Sequence, residues 1–405
     1  WAAVPMATAD PILGVAVAYT ADPSPQKVNL GIGAYRDEHG NPLVLKCVRE
    51  AERKIAGDDK LTKEYLPVQG LQDFLTVTSQ VVLGKNSSAI KEGRVAVCQS
   101  LSGTGALRIA GEFIALYNPG AVVYCSDPTW GNHHTIFQKS GLKTKKYRYL
   151  TPTMGLDIAG MLADLSAAPK GSVFVLHTVA HNPTGVDPTQ AEWKKVAEVC
   201  AARSAIIVFD TAYQGYATGN LDADAWAVRH FVDDLDMELM VTQSYSKNFG
   251  LYGERIGALN VVTRDKSTAD KVQSQLKGIV RPMYSNPQLH GARLVSTVLK
   301  DPRLTAMWEV ELKEMSDRIT SMRQALVDEL TAIKCPFPSN KFSSWNHIVS
   351  QIGMFAYTGM SEKHVGHLTS KHHVYCTFNG RFSMAGVNPG NVQYIAAAMK
   401  DSIAP

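Results

Sequence analysis

Three apolar runs in the middle of the chain each end in a polar cluster, and nothing else in the sequence restricts the fold as tightly. The run 173–176 leads into His177 and then His181-Asn182-Pro183-Thr184-Gly185. The run 206–209 leads into Asp210-Thr211-Ala212-Tyr213, and 239–241 into Gln243-Ser244-Tyr245-Ser246-Lys247. Short, continuously apolar runs bounded by polar residues predict strands buried on both faces. Further strands are expected over 94–99, 121–125 and 256–263. Amphipathic stretches lie between them, such as 189–203, where Thr189 and Glu192 have capping-box spacing. That alternation predicts an α/β chain with a mainly parallel sheet covered by helices. Ligands of such sheets sit beyond the carboxyl ends of the strands, so three polar strand ends together predict a built site.

The flanking sequence adds a second part. Residues 303–335 contain neither Gly nor Pro, and Leu304, Trp308, Leu312, Met315, Ile319, Met322, Leu326, Leu330 and Ile333 recur at steps of three and four. This predicts one long helix, entered at Asp301-Pro302 and stopped by Cys335-Pro336, able to begin in one domain and end in another. A Pro/Ser/Lys-rich loop over 336–344 and a smaller α+β segment follow. At 405 residues the chain is long enough for one large core or two domains.

Composition removes several function classes. A formal net charge of +4, spread along the chain, lacks the concentrated basic patch of a nucleic-acid binder. Its densest basic stretch, 143–148, reads as a solvated strand edge. No apolar run is long enough to cross a bilayer. The six cysteines are scattered without a C-x-x-C pair, as reduced core cysteines are, and predict neither disulfides nor a zinc site. His133-His134 and His372-His373 are adjacent pairs, and His364 with His367 lacks a carboxylate or cysteine partner at metal-ligand spacing. All read as surface or supporting histidines, and no metal is expected.

The polar strand ends suggest a chemistry. A strand-end Asp in a buried setting needs a cation or a donor, and a Lys among Ser, Tyr, Asn and Gly can serve as a nucleophilic amine. Asp210 and Lys247 in one cleft fit pyridoxal phosphate, whose ring nitrogen needs an acid partner and whose aldehyde needs an amine. Ser102-Gly103-Thr104-Gly105, following a strand and opening a helix, offers backbone N–H groups to the phosphate. Arg255 can add a charge-assisted contact.

Tyr65-Leu66-Pro67, Ser102-Gly103-Thr104-Gly105-Ala106, Pro128-Thr129-Trp130-Gly131-Asn132-His133, the His181 and Asp210 clusters, and residues 244–255 together carry a resemblance. So do Arg281-Pro282-Met283-Tyr284-Ser285-Asn286-Pro287 and Gly380-Arg381-Phe382-Ser383-Met384-Ala385-Gly386. In this order, from Asp10-Pro11-Ile12-Leu13-Gly14 almost to the C-terminus, the chain resembles the aspartate aminotransferase family. The resemblance implies fold type I of the pyridoxal-phosphate-dependent transferases, with a mainly parallel seven-stranded sheet in a large domain (43–314). A smaller α+β domain (10–42 and 315–405) closes over substrate, and an arm (1–9) reaches the partner of a homodimer.

The resemblance also implies roles. Lys247 holds the cofactor covalently and moves the proton at the substrate α-carbon, and Asp210 keeps the pyridine nitrogen protonated. Asn182 and Tyr213 bond the ring oxygen, and Trp130 stacks on the ring. Ser102, Gly103, Thr104, Ser244 and Arg255 bind the phosphate, joined by Tyr65 of the partner subunit, while His133 stands behind Asp210. Arg381 takes the α-carboxylate, and Arg281 of the partner subunit takes the side-chain carboxylate. Gly33 lines the substrate pocket. The implied activity is reversible ping-pong transfer of the amino group from L-aspartate to 2-oxoglutarate.

The chain departs from the family pattern at Val179-Ala180, in place of a customary cysteine, and at Gln288, where a second proline often stands. An aromatic or broad-specificity aminotransferase is the alternative within the class. A nucleotide-dependent dehydrogenase is disfavoured because the Gly31–Gly33 turn lacks the third glycine of the fingerprint. A non-catalytic relative is disfavoured because Lys247, Asp210, Arg255 and Arg381 are all kept. Residues 224–231 and 281–287 most resemble mitochondrial members, and a start at Trp1 fits a processed chain. A mitochondrial matrix location is therefore expected, with cytosol or plastid as alternatives.

Overall fold

The computed structural model describes residues 1–7 and 13–404. Positions 8–12, which include part of the expected arm and the start of the family-like stretch, lie outside the described residues, as does Pro405.

All six expected strands form, and the basic stretch supplies a seventh. They are β1 (Val95–Leu101), β2 (Val122–Asp127), β3 (Lys143–Arg148), β4 (Val173–His177), β5 (Ile206–Thr211), β6 (Leu239–Ser244) and β7 (Ile256–Val262). Their spatial order is β1-β7-β6-β5-β4-β2-β3. Every pairing is parallel except those of β7, which runs against both β1 and β6. Strand β3 lies at the edge with its lysines exposed, a placement that discourages pairing with another sheet.

Period-two alternation divides the apolar residues between two cores. Val173, Val175, Val208 and Met240 pack on one face against Ala106, Ile109 and Ile114 of α1 (Ser102–Tyr117). Phe174, Leu176, Phe209 and Val241 pack on the other against Trp193 and Val196 of α2 (Gln190–Ala202). Helix α2 starts with the expected capping box, Thr189 with Glu192.

The long helix is α3 (Pro302–Ala332), with Asp301 accepting from Arg303 N and Leu304 N at its start. It stops three residues short of the expected Cys335, because Lys334 adopts a left-handed φ of 52° and turns the chain first. Beyond it come α4 (Glu362–His372) and α5 (Val392–Ile403). Two small pairings follow: Val28–Asn29 runs parallel to Val374–Tyr375, tying the two ends of the chain together, and Phe355–Tyr357 runs antiparallel to Arg381–Ser383. All six cysteines are buried and free. No helix among the described residues is long and apolar enough to cross a membrane.

Candidate active site

Strand register assembles the first part of the site. His177, Asp210 and Thr242 are cross-strand neighbours on β4, β5 and β6. The Thr242 hydroxyl donates to Asp210 Oδ1 at 3.2 Å, and His133 Nε2 donates to Oδ2 at 2.9 Å. The Asp210 carboxylate only accepts, so a ring proton of His133 stands on Nε2, and the Thr129 hydroxyl bonds Nδ1 at 2.8 Å. Burial alone would push the Asp210 acid up. The bonds from His133 and Thr242 outweigh it and hold Asp210 below its ordinary range, as an anion. The neighbouring His177 is kept neutral by burial and adds no charge at neutral pH.

Lys247 opens onto the same cavity. Its ammonium is destabilised by desolvation and by the nearby charges of Arg255 and Arg381, which bring its pKa down to about 8. The amine lies 5.8 Å from the Tyr213 ring centroid and 5.7 Å from that of Tyr252. Among the described residues it takes no hydrogen bond. Its backbone is fixed instead: the Tyr216 hydroxyl donates to Lys247 O at 3.0 Å, and Trp308 Nε1 of α3 donates to Asn248 O at 2.7 Å. A chain held this way presents a free amine at a set place.

A cluster of hydroxyls forms the third wall. Ser102 Oγ lies 2.8 Å from both Ser244 Oγ and Ser246 Oγ, and Arg255 Nη1 donates to Ser246 Oγ at 3.1 Å. Ser102 opens α1 with a φ of 60°, and Ser102, Gly103 and Thr104 of its first turn line the cavity. Gly257 on β7 makes the turn possible: a Cβ there would lie 2.3 Å from Gln243 O and 2.6 Å from Ser102 C. Helix N-terminus, hydroxyls and guanidinium together make an anion cradle. The cavity it shares with Lys247 and Asp210 is also lined by Thr104, Trp130, Asn182 and Tyr213.

Arg381 is 4% exposed and pairs with no carboxylate among the described residues. Its Nη1 donates to Asn182 Oδ1 at 3.1 Å and its Nη2 to Gly31 O at 2.9 Å, while Nε is buried without a partner. The guanidinium stacks 4.0 Å above the Phe355 ring. Gly33 touches the other part of that ring, where a Cβ would come within 2.9 Å of Phe355 Cζ. The Phe355 backbone is anchored in turn by buried Arg323 of α3, which donates to the carbonyls of Ile348, Gly353 and Phe355. Burying an unpaired cation is costly, so this arrangement is preorganised for an anion.

Two expected site residues lie elsewhere. Tyr65 is 84% exposed, Arg281 is exposed and donates to Ser285 Oγ, and neither lines the cavity of its own chain. They share one face, where Asn286 Nδ2 bonds Leu66 O at 2.7 Å.

Sequence reasoning missed Ser246, Tyr252 and Phe355. Ser246 and Tyr252 lie inside the 244–255 motif and could have been chosen from it. Phe355 carries no local signal, since only the pairing of 355–357 with 381–383 brings it under Arg381. The departures from the family pattern also have structural roles. Gln288 Nε2 bonds the carbonyls of Ser100 and Arg255, bracing the arginine loop. Ala180 takes a φ of 53°, with its N–H and that of His181 captured by half-buried Asp187.

Comparison with known proteins places this geometry in a family. The family model for aminotransferase class I and II matches residues 25–399. Aspartate aminotransferase 1 of Medicago sativa is 50% identical over 96% of this chain and 92% of its own length. The solved aspartate aminotransferase from Saccharomyces cerevisiae cytoplasm superposes with a TM-score of 0.96 at 42% identity, covering 99% of this chain and 98% of that one. The aromatic-amino-acid aminotransferase from Burkholderia pseudomallei, covalently bound to pyridoxal phosphate, does so with 0.93 at 41%, covering 99% and 98%. Related sequences include proteins named mitochondrial, cytoplasmic and chloroplastic. The seven-stranded, mostly parallel sheet flanked by helices is that of fold type I of the pyridoxal-phosphate-dependent transferases, and the chain belongs to the class I and II aminotransferases.

Proposed function

We propose that the chain catalyses reversible ping-pong transfer of the amino group from L-aspartate to 2-oxoglutarate, giving oxaloacetate and L-glutamate. The observation that carries this reading is the buried Arg381 guanidinium, bonded to Asn182 and paired with no carboxylate among the described residues, in the same site as the amine of Lys247. A carboxylate bound at Arg381 places an amino acid's α-carbon against that amine.

The donor set fits pyridoxal phosphate: an anion cradle at one end, an ionised Asp210 at the other, a free amine between them. When bound, this cofactor supplies an aldehyde for an amine and a protonated ring that accepts the electron pair of a breaking Cα–H bond. Ser102, Gly103, Thr104, Ser244 and Arg255 hold the phosphate, and Asp210, supported by His133, holds a proton at the ring nitrogen. Asn182 and Tyr213 bond the ring oxygen, and Trp130 covers one ring face. Lys247 Nζ would take the proton from the substrate α-carbon and would hold it as an ammonium until it is returned. Arg381 grips the α-carboxylate bidentately, as a planar guanidinium can and an ammonium cannot.

The exposed face bearing Tyr65 and Arg281 is the homodimer interface in this reading, and each site borrows both residues from the partner. The body formed by 10–42 and 315–405 closes over the large domain 43–314, and the arm 1–9 clasps the partner. Aromatic substrates form a second reading, supported by the likeness to the aromatic aminotransferase structure.

Arg281→Ala separates the two readings. Removing a bidentate partner of the side-chain carboxylate lowers kcat/KM for aspartate by roughly 100- to 1000-fold and leaves phenylalanine within a few-fold. Equal losses for both substrates contradict the role of Arg281. Mixing Lys247→Ala with Arg281→Ala subunits tests the shared site. Half the dimers are then mixed, and one of their two sites is intact, so aspartate turnover returns to roughly a quarter of wild type. No recovery on mixing rules out the exchange of Arg281 between subunits. The location proposed is the mitochondrial matrix, on the likeness of 224–231 and 281–287 to mitochondrial members. Cell fractionation that finds the protein only in cytosol overturns it.

A further inference from the structure

A histidine cluster far from the cavity has chemistry that amino transfer does not use. On α4, His367 and His372 both turn toward Asp401 of α5, 34 and 29 residues further along the chain. His367 Nε2 lies 3.0 Å and His372 Nε2 2.8 Å from the same oxygen, Asp401 Oδ2. One nitrogen from each ring and one carboxylate oxygen all lie within 4.8 Å of one another. The side chains are 29%, 19% and 37% exposed, so a further position faces solvent. The Tyr394 hydroxyl of α5 fixes the backbone at His372 O, at 2.7 Å.

We propose that His367, His372 and Asp401 form a zinc site that ties α4 to the C-terminal helix α5. Zinc takes imidazole nitrogen and carboxylate oxygen at about 2.0–2.2 Å in tetrahedral geometry, which sets neighbouring donors roughly 3.4 Å apart. The two nitrogen-to-oxygen separations, 3.0 and 2.8 Å, are shorter than that figure, so the partly exposed side chains open by about half an ångström to admit the ion. Two imidazoles and one carboxylate select a borderline transition metal over the hard cations magnesium and calcium, which prefer oxygen alone. One group opposes binding: Lys371 Nζ lies 2.8 Å from Asp401 Oδ2 and occupies the place of a cation. A metal must displace the ammonium, which makes the site responsive to Lys371 in a direction that can be measured.

The test is calorimetric titration of the whole, cofactor-loaded protein with zinc chloride after treatment with a chelator. Loading keeps the His133, His177 and Asp210 group of the catalytic cavity covered, since those residues also lie within ligand distance of one another. The expected result is one equivalent of zinc bound at the cluster and no uptake of magnesium. His372→Gln and Asp401→Asn each weaken binding on the order of 100-fold. Lys371→Ala strengthens it several-fold by removing the competing charge. All three variants keep the wild-type transamination rate, which shows that they fold. Unchanged zinc affinity in His372→Gln, or weaker binding in Lys371→Ala, overturns the site.

Discussion

Lys247→Ala is expected to keep the cofactor and lose turnover by roughly 10⁴- to 10⁶-fold, the combined effect of removing a nucleophile and the base that moves the α-proton. In the proposed reading the cofactor stays because most of its holding groups are elsewhere: Ser102, Gly103, Thr104, Ser244 and Arg255 at one end of the cavity, Asp210 at the other. The fold stays because the lysine backbone is pinned by Tyr216 and Trp308, and its amine makes no hydrogen bond that the core would miss. Absorbance measures retention, and stopped-flow mixing with aspartate measures loss of the first half-reaction. Near wild-type rates sink the assignment. The pKa of about 8 adds a second readout. At pH 7 about a tenth of such lysines are neutral, against roughly 3 in 10,000 at the ordinary value, and only the neutral amine attacks an aldehyde. Covalent capture of the cofactor by the cofactor-free protein should therefore quicken nearly tenfold per pH unit up to about pH 8 and then level off. A rate still climbing in proportion at pH 10 means that the amine is not perturbed.

What could be read from the sequence was whatever is local in chain or in period. The strands announced themselves as apolar runs, and because three of them ended in polar residues, the rule that ligands sit at carboxyl ends pointed to the cavity those residues line before any contact was known. Helix α3 was visible through its three-and-four spacing, but its end was not: Cys335-Pro336 is the conspicuous signal, while the turn is made by Lys334, a residue type with no preference for left-handed backbone. Contacts across long separations were silent. Nothing near Arg381 names Phe355, and nothing near Phe355 names Arg323, yet Arg323 of α3 bonds the Phe355 backbone and the Phe355 ring lies under the Arg381 guanidinium. The same blindness applies to His367, which looks unsupported in sequence because Asp401 reaches it only through the packing of α4 on α5.

Asp210→Asn should reduce kcat on the order of 10³-fold with little change in folding or cofactor retention, because the substitution keeps the shape and removes the charge. An asparagine amide can still accept from His133 Nε2 and still pair with the Thr242 hydroxyl, so the row across β4, β5 and β6 survives. What it cannot do is hold a proton at a ring nitrogen, which requires an anion. The wild-type site is arranged to supply one. Burial opposes the charge at Asp210, and two hydrogen bonds, from an imidazole and a hydroxyl, restore it. His133→Ala removes only one of these supports, so its loss should be much smaller, about tenfold, and should be accompanied by an upward shift of the acidic limb of the pH profile as the Asp210 acid rises toward its ordinary range. The two variants thus separate the charge from its scaffold. If Asp210→Asn is as mild as His133→Ala, Asp210 acts only as a structural acceptor, and the electron sink that the site requires must be supported by another residue.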